Sequence, residues 1–170
     1  MAGLAHAGPA LNISKKDIGG VVTGPQGPEA GVWVIAETKD LPTKFAKIVV
    51  TDDQGRYLLP EMPSANYQVW VRGYGLVDSP KVSAKPGQKL DLKAVVAPDE
   101  KAAAQYYPGM YWYTLLDIPK ESEFPGTGDK GNGIPANLKK QSYWVDTVKN
   151  SCQSCHALGS EGMRTVSDFY

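Results

Sequence analysis

The sequence predicts a mainly β protein, an antiparallel β-sandwich followed by a smaller α-helical, loop-rich C-terminal region. Three observations carry that expectation. Short β-branched runs alternate with turn signals from Asp17 to Ala97, Gly and Pro (18 and 13 of 170 residues) punctuate them, and the composition becomes helix-forming after Pro98. Apolar residues make up 42% and charged residues 21%, which is enough for a core and unlike a disordered chain. No run approaches the roughly 18 uninterrupted apolar residues of a transmembrane helix. Lys plus Arg equal Asp plus Glu at 18 each, so the basic footprint of a nucleic-acid partner is missing.

Residues 1–16 read as a small-residue, polar arm without periodicity. The start has neither the charged nor the apolar region of a complete signal peptide, yet Ala5-His6-Ala7 has the small-x-small form of a cleavage site, a hint of export. Ile18-Gly19-Gly20-Val21-Val22-Thr23 and Gly31-Val32-Trp33-Val34-Ile35-Ala36 are two strands separated by the Pro/Gly turn Gly24 to Pro28. Lys47 to Thr51, Asp52-Asp53-Gln54-Gly55 and Arg56 to Leu59 read as strand, Asx turn and strand, a hairpin signal. Tyr67, Val69 and Val71 alternate with Gln68, Trp70 and Arg72, and Lys89 to Val95 alternates as clearly, so each strand buries one face. Six or seven short strands follow.

The succession Gly20-Val21-Val22, Pro28-Glu29-Ala30-Gly31-Val32, Thr51-Asp52-Asp53-Gln54-Gly55-Arg56-Tyr57, Leu59-Pro60-Glu61-Met62-Pro63 and Asn66-Tyr67-Gln68-Val69 resembles the carboxypeptidase regulatory-like domain. That resemblance covers residues 17–97 and implies a transthyretin-like, Ig-like seven-stranded sandwich that folds, spaces or docks and catalyses nothing. No carboxypeptidase zinc site accompanies it, because His6 and His156 are the only histidines and neither stands in a His-x-x-Glu setting.

Residues 98–170 form the second region. Acids followed by helix formers predict a helix from about Pro98 that kinks at Pro108-Gly109 and continues through Leu116. The aromatics Tyr111, Trp112 and Tyr113 on it suit helix-to-sheet packing or a cofactor wall. Gly126 to Gly131 fits G-x-G-x-x-G in letters only, since neither the preceding strand nor the following helix of a dinucleotide site is predicted. A calcium loop built on Asp129 lacks further carboxylates. Leu138, Gln141, Val145 and Val148 recur at helical spacing with Trp144 beside them, so an amphipathic helix delivers the chain to Cys152-Gln153-Ser154-Cys155-His156.

This pentapeptide carries most of the functional information. Two thiols three positions apart can each bond one vinyl group of a haem, and the next residue, His156, then lies under the iron as proximal ligand. Random placement of two Cys and two His over this length gives C-x-x-C-H with a chance on the order of one in ten thousand. The segment also looks like the start of a cytochrome c domain, with a helix before it and Leu158-Gly159 after it. A thioredoxin-like pair belongs after a strand in a βαβ unit, a zinc site needs ligands beyond Cys152, Cys155 and His156, and a Cys152–Cys155 disulfide closes too short a loop to stabilise much.

Only 14 residues follow His156, fewer than a cytochrome c domain uses before its distal Met. Met163, seven residues on, reaches the far haem face only if the chain is nearly extended, about 25 Å. His6 is the other candidate sixth ligand, from its own arm or from a neighbouring subunit, in which case identical subunits chain head to tail. The expectation is therefore a non-enzymatic, monohaem c-type electron-transfer protein with one haem c, exported to the periplasm or beyond. Its partner is a redox protein or another copy of itself, as a homo-oligomer. The alternative is a scaffold or adhesion module, a piece of a larger exported protein, with no redox role of its own.

Overall fold

The computed structural model describes residues 11–151 and 157–165. The chain divides into two compact units, Met1–Tyr106 and Tyr107–Tyr170.

The first unit is a β-sandwich. One sheet has the order β2 (Gly27–Pro28), β1 (Ile18–Gly24), β5 (Arg56–Leu59), and the other runs β4 (Phe45–Val50), β3 (Trp33–Thr38), β6 (Tyr67–Arg72), β8 (Val82–Ala84). A further strand, β9 (Leu92–Lys93), joins β1, while β10 (Val95–Val96) pairs with β7 (Leu76–Val77). The two sheets face each other through a shared core. Ile18 and Val22 of β1, Tyr57 and Leu59 of β5 and Leu92 of β9 meet Val34 and Ala36 of β3 and Tyr67, Val69 and Val71 of β6. Each of these is buried, and each fully buried Val or Leu contributes about 1.5–3 kcal/mol.

The strands pair antiparallel as expected, apart from β9, which lies parallel to β1 with Val22 opposite Leu92. Two expectations are corrected here. The Asx turn does not close a hairpin: β4 pairs with β3 and β5 pairs with β1, so Asp52 to Gly55 carries the chain from one sheet to the other. The turn chemistry itself is as read. Asp52 Oδ1 accepts from the amides of Gln54 (3.0 Å) and Arg56 (2.9 Å), and Gly55 adopts φ 69°, where a side chain is disfavoured. Second, the post-Pro98 segment is two helices. The first, α1 (Glu100–Ala104), is capped by Asp99, whose carboxylate accepts from the Ala102 amide at 2.7 Å. Pro108, which has no amide to continue a helix, then precedes a separate 3₁₀ helix over Gly109–Leu115.

Several polar groups buried between strands are satisfied, whereas Nε1 of the buried Trp70 has no hydrogen-bond partner. The Thr51 hydroxyl donates to Glu29 O (2.7 Å) and accepts from the Val32 amide (3.1 Å), which ties the end of β4 to the entry into β3. Tyr57 OH donates to Leu90 O at 2.6 Å, and burial, followed by the nearby Asp91 charge, pushes its phenol well above the usual range. Arg72 holds Asp78 with two parallel bonds, Nε to Oδ1 at 2.7 Å and Nη2 to Oδ2 at 2.8 Å, and its guanidinium also lies 5.8 Å from the centre of the Tyr106 ring. On β6 the alternation is only half right about exposure. Tyr67, Val69 and Val71 face the core as expected, but Trp70 on the opposite face is also buried, with the Lys81 ammonium 3.9 Å from its ring centre.

Candidate functional site

The second unit contains the 3₁₀ helix over Gly109–Leu115, a long loop that includes a short 3₁₀ turn at Glu121–Glu123, α2 (Gln141–Ser151) and α3 (Glu161–Thr165). The loop over residues 119–140 is closed on itself. Gly126 donates to Leu138 O at 3.0 Å, Gly128 donates to Ile134 O at 2.9 Å, and Asn132 accepts from both the amide and the hydroxyl of Thr127 at 3.0 Å. A Cβ on Gly126 would run into the carbonyl oxygens of Ile134 and Pro135, so this crossing requires glycine. Gln141 Nε2 donates to Pro119 O at 2.9 Å, which fixes the start of α2 to the start of the loop. The glycines of the G-x-G-x-x-G string therefore belong to loop closure.

Helix α2 ends at Ser151, one residue before Cys152. Lys149 in its last turn complements the negative end of the helix dipole. Of the expected stripe, Leu138 lies before the helix, while Gln141, Val145 and Val148, with Trp144 beside them, lie on α2; these four are only half-buried and no residue of α2 is buried. That stripe has apolar surface left to cover.

Beyond the pentapeptide the chain is seated on the aromatic turn. Gly159 is buried at φ 70°, and a Cβ there would lie 2.6 Å from Trp112 Cδ1 and 2.8 Å from Gly109 Cα. Arg164 of α3 donates through Nε to Gly159 O (2.7 Å) and through Nη2 to Tyr107 O (2.6 Å), and its guanidinium lies 5.4 Å from the centre of the Trp112 ring. Tyr107 and Tyr111 pack edge to face with centroids 4.6 Å apart. Together these contacts bind residues 107–112 to residues 159–164.

Cys152, Cys155, His156 and His6 lie outside the described residues. Met163 is half-buried on α3, and the stretch before it is compact: Ser160 donates to Ala157 O at 3.0 Å and Glu161 onward is helical. Among the described residues no three His, Cys, Asp or Glu side chains come together to hold a metal ion, and no helix is long and apolar enough to cross a membrane. The donor set of two thiols and an adjacent imidazole fits a covalently held haem, and the half-buried stripe leading to it is apolar as such a group requires. Sequence reasoning singled out Trp112 and noted Gly159 but missed Arg164. Nothing local in the sequence marks an arginine whose partners are carbonyls 5 and 57 positions away.

The chain matches no protein-family model and no curated protein. Among solved structures it is similar to the Bacillus anthracis TIE protein, with 21% identity and a TM-score of 0.37 over 48% of this chain and 16% of that one. It is also similar to catechol 1,2-dioxygenase from Acinetobacter sp. ADP1, with 8% identity and a TM-score of 0.37 over 49% and 53% of the two chains. A cohesin and X-dockerin complex of Acetivibrio cellulolyticus matches with 15% identity and a TM-score of 0.37 over 48% and 58%. The chain thus spans less than two thirds of the length of each. The assignment to a β-sandwich rests on its own strand order and core.

Proposed function

We propose that the chain is a monohaem c-type electron-transfer module, its haem attached after α2 in a chain that also carries a β-sandwich. The observation that carries this reading is Cys152-x-x-Cys155-His156 directly after the helix that ends at Ser151. When bound, the haem supplies one-electron redox chemistry. Cys152 and Cys155 would hold it through thioether bonds, and His156 would be the proximal iron ligand. Of the two candidates for the sixth position, Met163 would need the turn and helix before it to extend, which favours His6, from the same chain or from a neighbouring subunit of a homo-oligomer. The half-buried Trp144, Val145 and Val148, with the Trp112 turn, would exclude water from the porphyrin edge. No substrate is turned over, and the partner is another redox protein or a further copy of the chain. Thioether attachment requires an export-side maturation system, which places the proposed protein in the periplasm or outside the cell.

Visible spectra of the protein, oxidised and reduced, with a pyridine haemochrome and a denatured intact mass, test the reading. The expected result is a c-type spectrum with the chain mass raised by one haem. Colourless protein at the bare mass, from a host competent in haem attachment, overturns it and leaves the scaffold or adhesion module as the function of the sandwich.

A further inference from the structure

We propose that Arg164 is a positioning residue for the haem segment, acting with Gly159 to seat the chain that follows His156 against the aromatic turn, so that Trp112 flanks the haem. The inference deepens the electron-transfer reading and rests on it.

Three groups distant in sequence converge here. Gly159 is the only position of its turn in the left-handed region, and its missing side chain is what allows Trp112 to lie against the backbone. Arg164 satisfies two carbonyls at once, Gly159 O and Tyr107 O, which a planar guanidinium fork does and a single ammonium does less well. Its position over the Trp112 ring adds a cation–π contact that sets the indole's orientation. The clasp lies close to the proposed iron ligand along the chain. Gly159 is three positions after His156, and chain length alone keeps their Cα atoms within about 11 Å. Loosening the clasp therefore frees the chain that follows His156 and the Trp112 indole together. A role limited to stability would leave the electronic properties of the loaded protein unchanged. A positioning role alters them.

The test uses the haem-loaded full chain and three variants, Arg164→Gln, Arg164→Lys and Gly159→Ala. Haem per chain is read by intact mass, the midpoint potential by redox titration, and the aromatic environment by circular dichroism in the Soret band. R164Q and G159A are expected to shift the potential and to lose Soret dichroism, while R164K, which keeps the charge but not the planar fork, recovers part of both. Wild-type potential and dichroism in R164Q and G159A overturn the proposal. So does haem loss in R164K as complete as in R164Q, because the conservative variant then rescues nothing. A wild-type chain without haem instead overturns the electron-transfer reading itself, so the two failures are distinguishable.

Discussion

The two units of this chain solve the problem of stability in different ways. In the first, two sheets bury Ile18, Val22, Val34, Tyr57, Leu59, Tyr67, Val69 and Val71 to 2% exposure or less. In the second, Ile134 is the one buried hydrophobic side chain among the described residues, and the 3₁₀ helix and α2 bury none. What organises the second unit is backbone: loop carbonyls met by loop amides, two close-packed glycines, and one arginine bridging two carbonyls. A sandwich whose faces cover each other is complete in itself. A unit organised by hydrogen bonds, with a half-buried apolar stripe leading to two thiols, is one that a bound apolar group would complete.

The largest expected effect is in the sandwich. Tyr67→Ala removes a fully buried ring and its hydrogen bond to Pro63 O at 2.9 Å, and is expected to cost about 3–5 kcal/mol. Hydrogen exchange followed peptide by peptide should show the loss in β1 to β9, and equal loss of protection across residues 119–151 would break the contrast between the units. Next in size is Gly126→Ala. A methyl group forced against the Ile134 and Pro135 carbonyls should destabilise the 119–140 loop by about 1–3 kcal/mol, read by faster exchange or proteolysis there with the sandwich unchanged.

Acid should act on the first unit. Hydrogen bonds from Ser14 and the Glu61 amide hold the Asp17 carboxyl below its usual range; the Asn66 amide and side chain do the same for Asp40, the Arg56 guanidinium for Asp52, and Lys89 for Asp91. Carboxyls depressed in the folded state stabilise it fully above their unfolded values. That contribution is lost as pH falls through the folded values. The sandwich's unfolding temperature should therefore be flat above about pH 5 and fall below about pH 4, with a shallower acid limb in Asp17→Asn. A midpoint that rises on acidification would contradict the sign. The smallest effect is expected for Lys89→Ala, which breaks an ion pair with Asp91 (3.0 Å) whose partners are both exposed. Denaturant titration should show a change within about 0.5 kcal/mol.

Several of these features are legible in the sequence. The runs at Ile18, Trp33, Arg56 and Tyr67 became strands because alternation and β-branching act within a few residues, and the Asx chemistry of Asp52 likewise needs only its neighbours. Strand partners are another matter. Whether the chain leaving Gly55 folds back on β4 or crosses to β1 depends on which faces pack, and both routes use the same turn. Short β8, flanked by Pro80 and Pro86, shows no alternation long enough to notice, and it exists because β6 offers it an edge.

The chemistry proposed for Cys152, Cys155 and His156 depends on residue type at fixed spacing, and the β-sandwich class and the helix that leads to the pentapeptide depend on local alternation and periodicity, so all of these can be read from the chain alone. Only the tertiary structure decided that β9 lies parallel to β1, that Trp70 is buried on the far face of its sheet, and that Arg164 joins Tyr107 to Gly159 across the aromatic turn. Local geometry is set by torsions and side chains a few residues apart. Contacts between residues 57 positions apart are selected by the packing of the whole unit, and they leave no periodic trace along the chain.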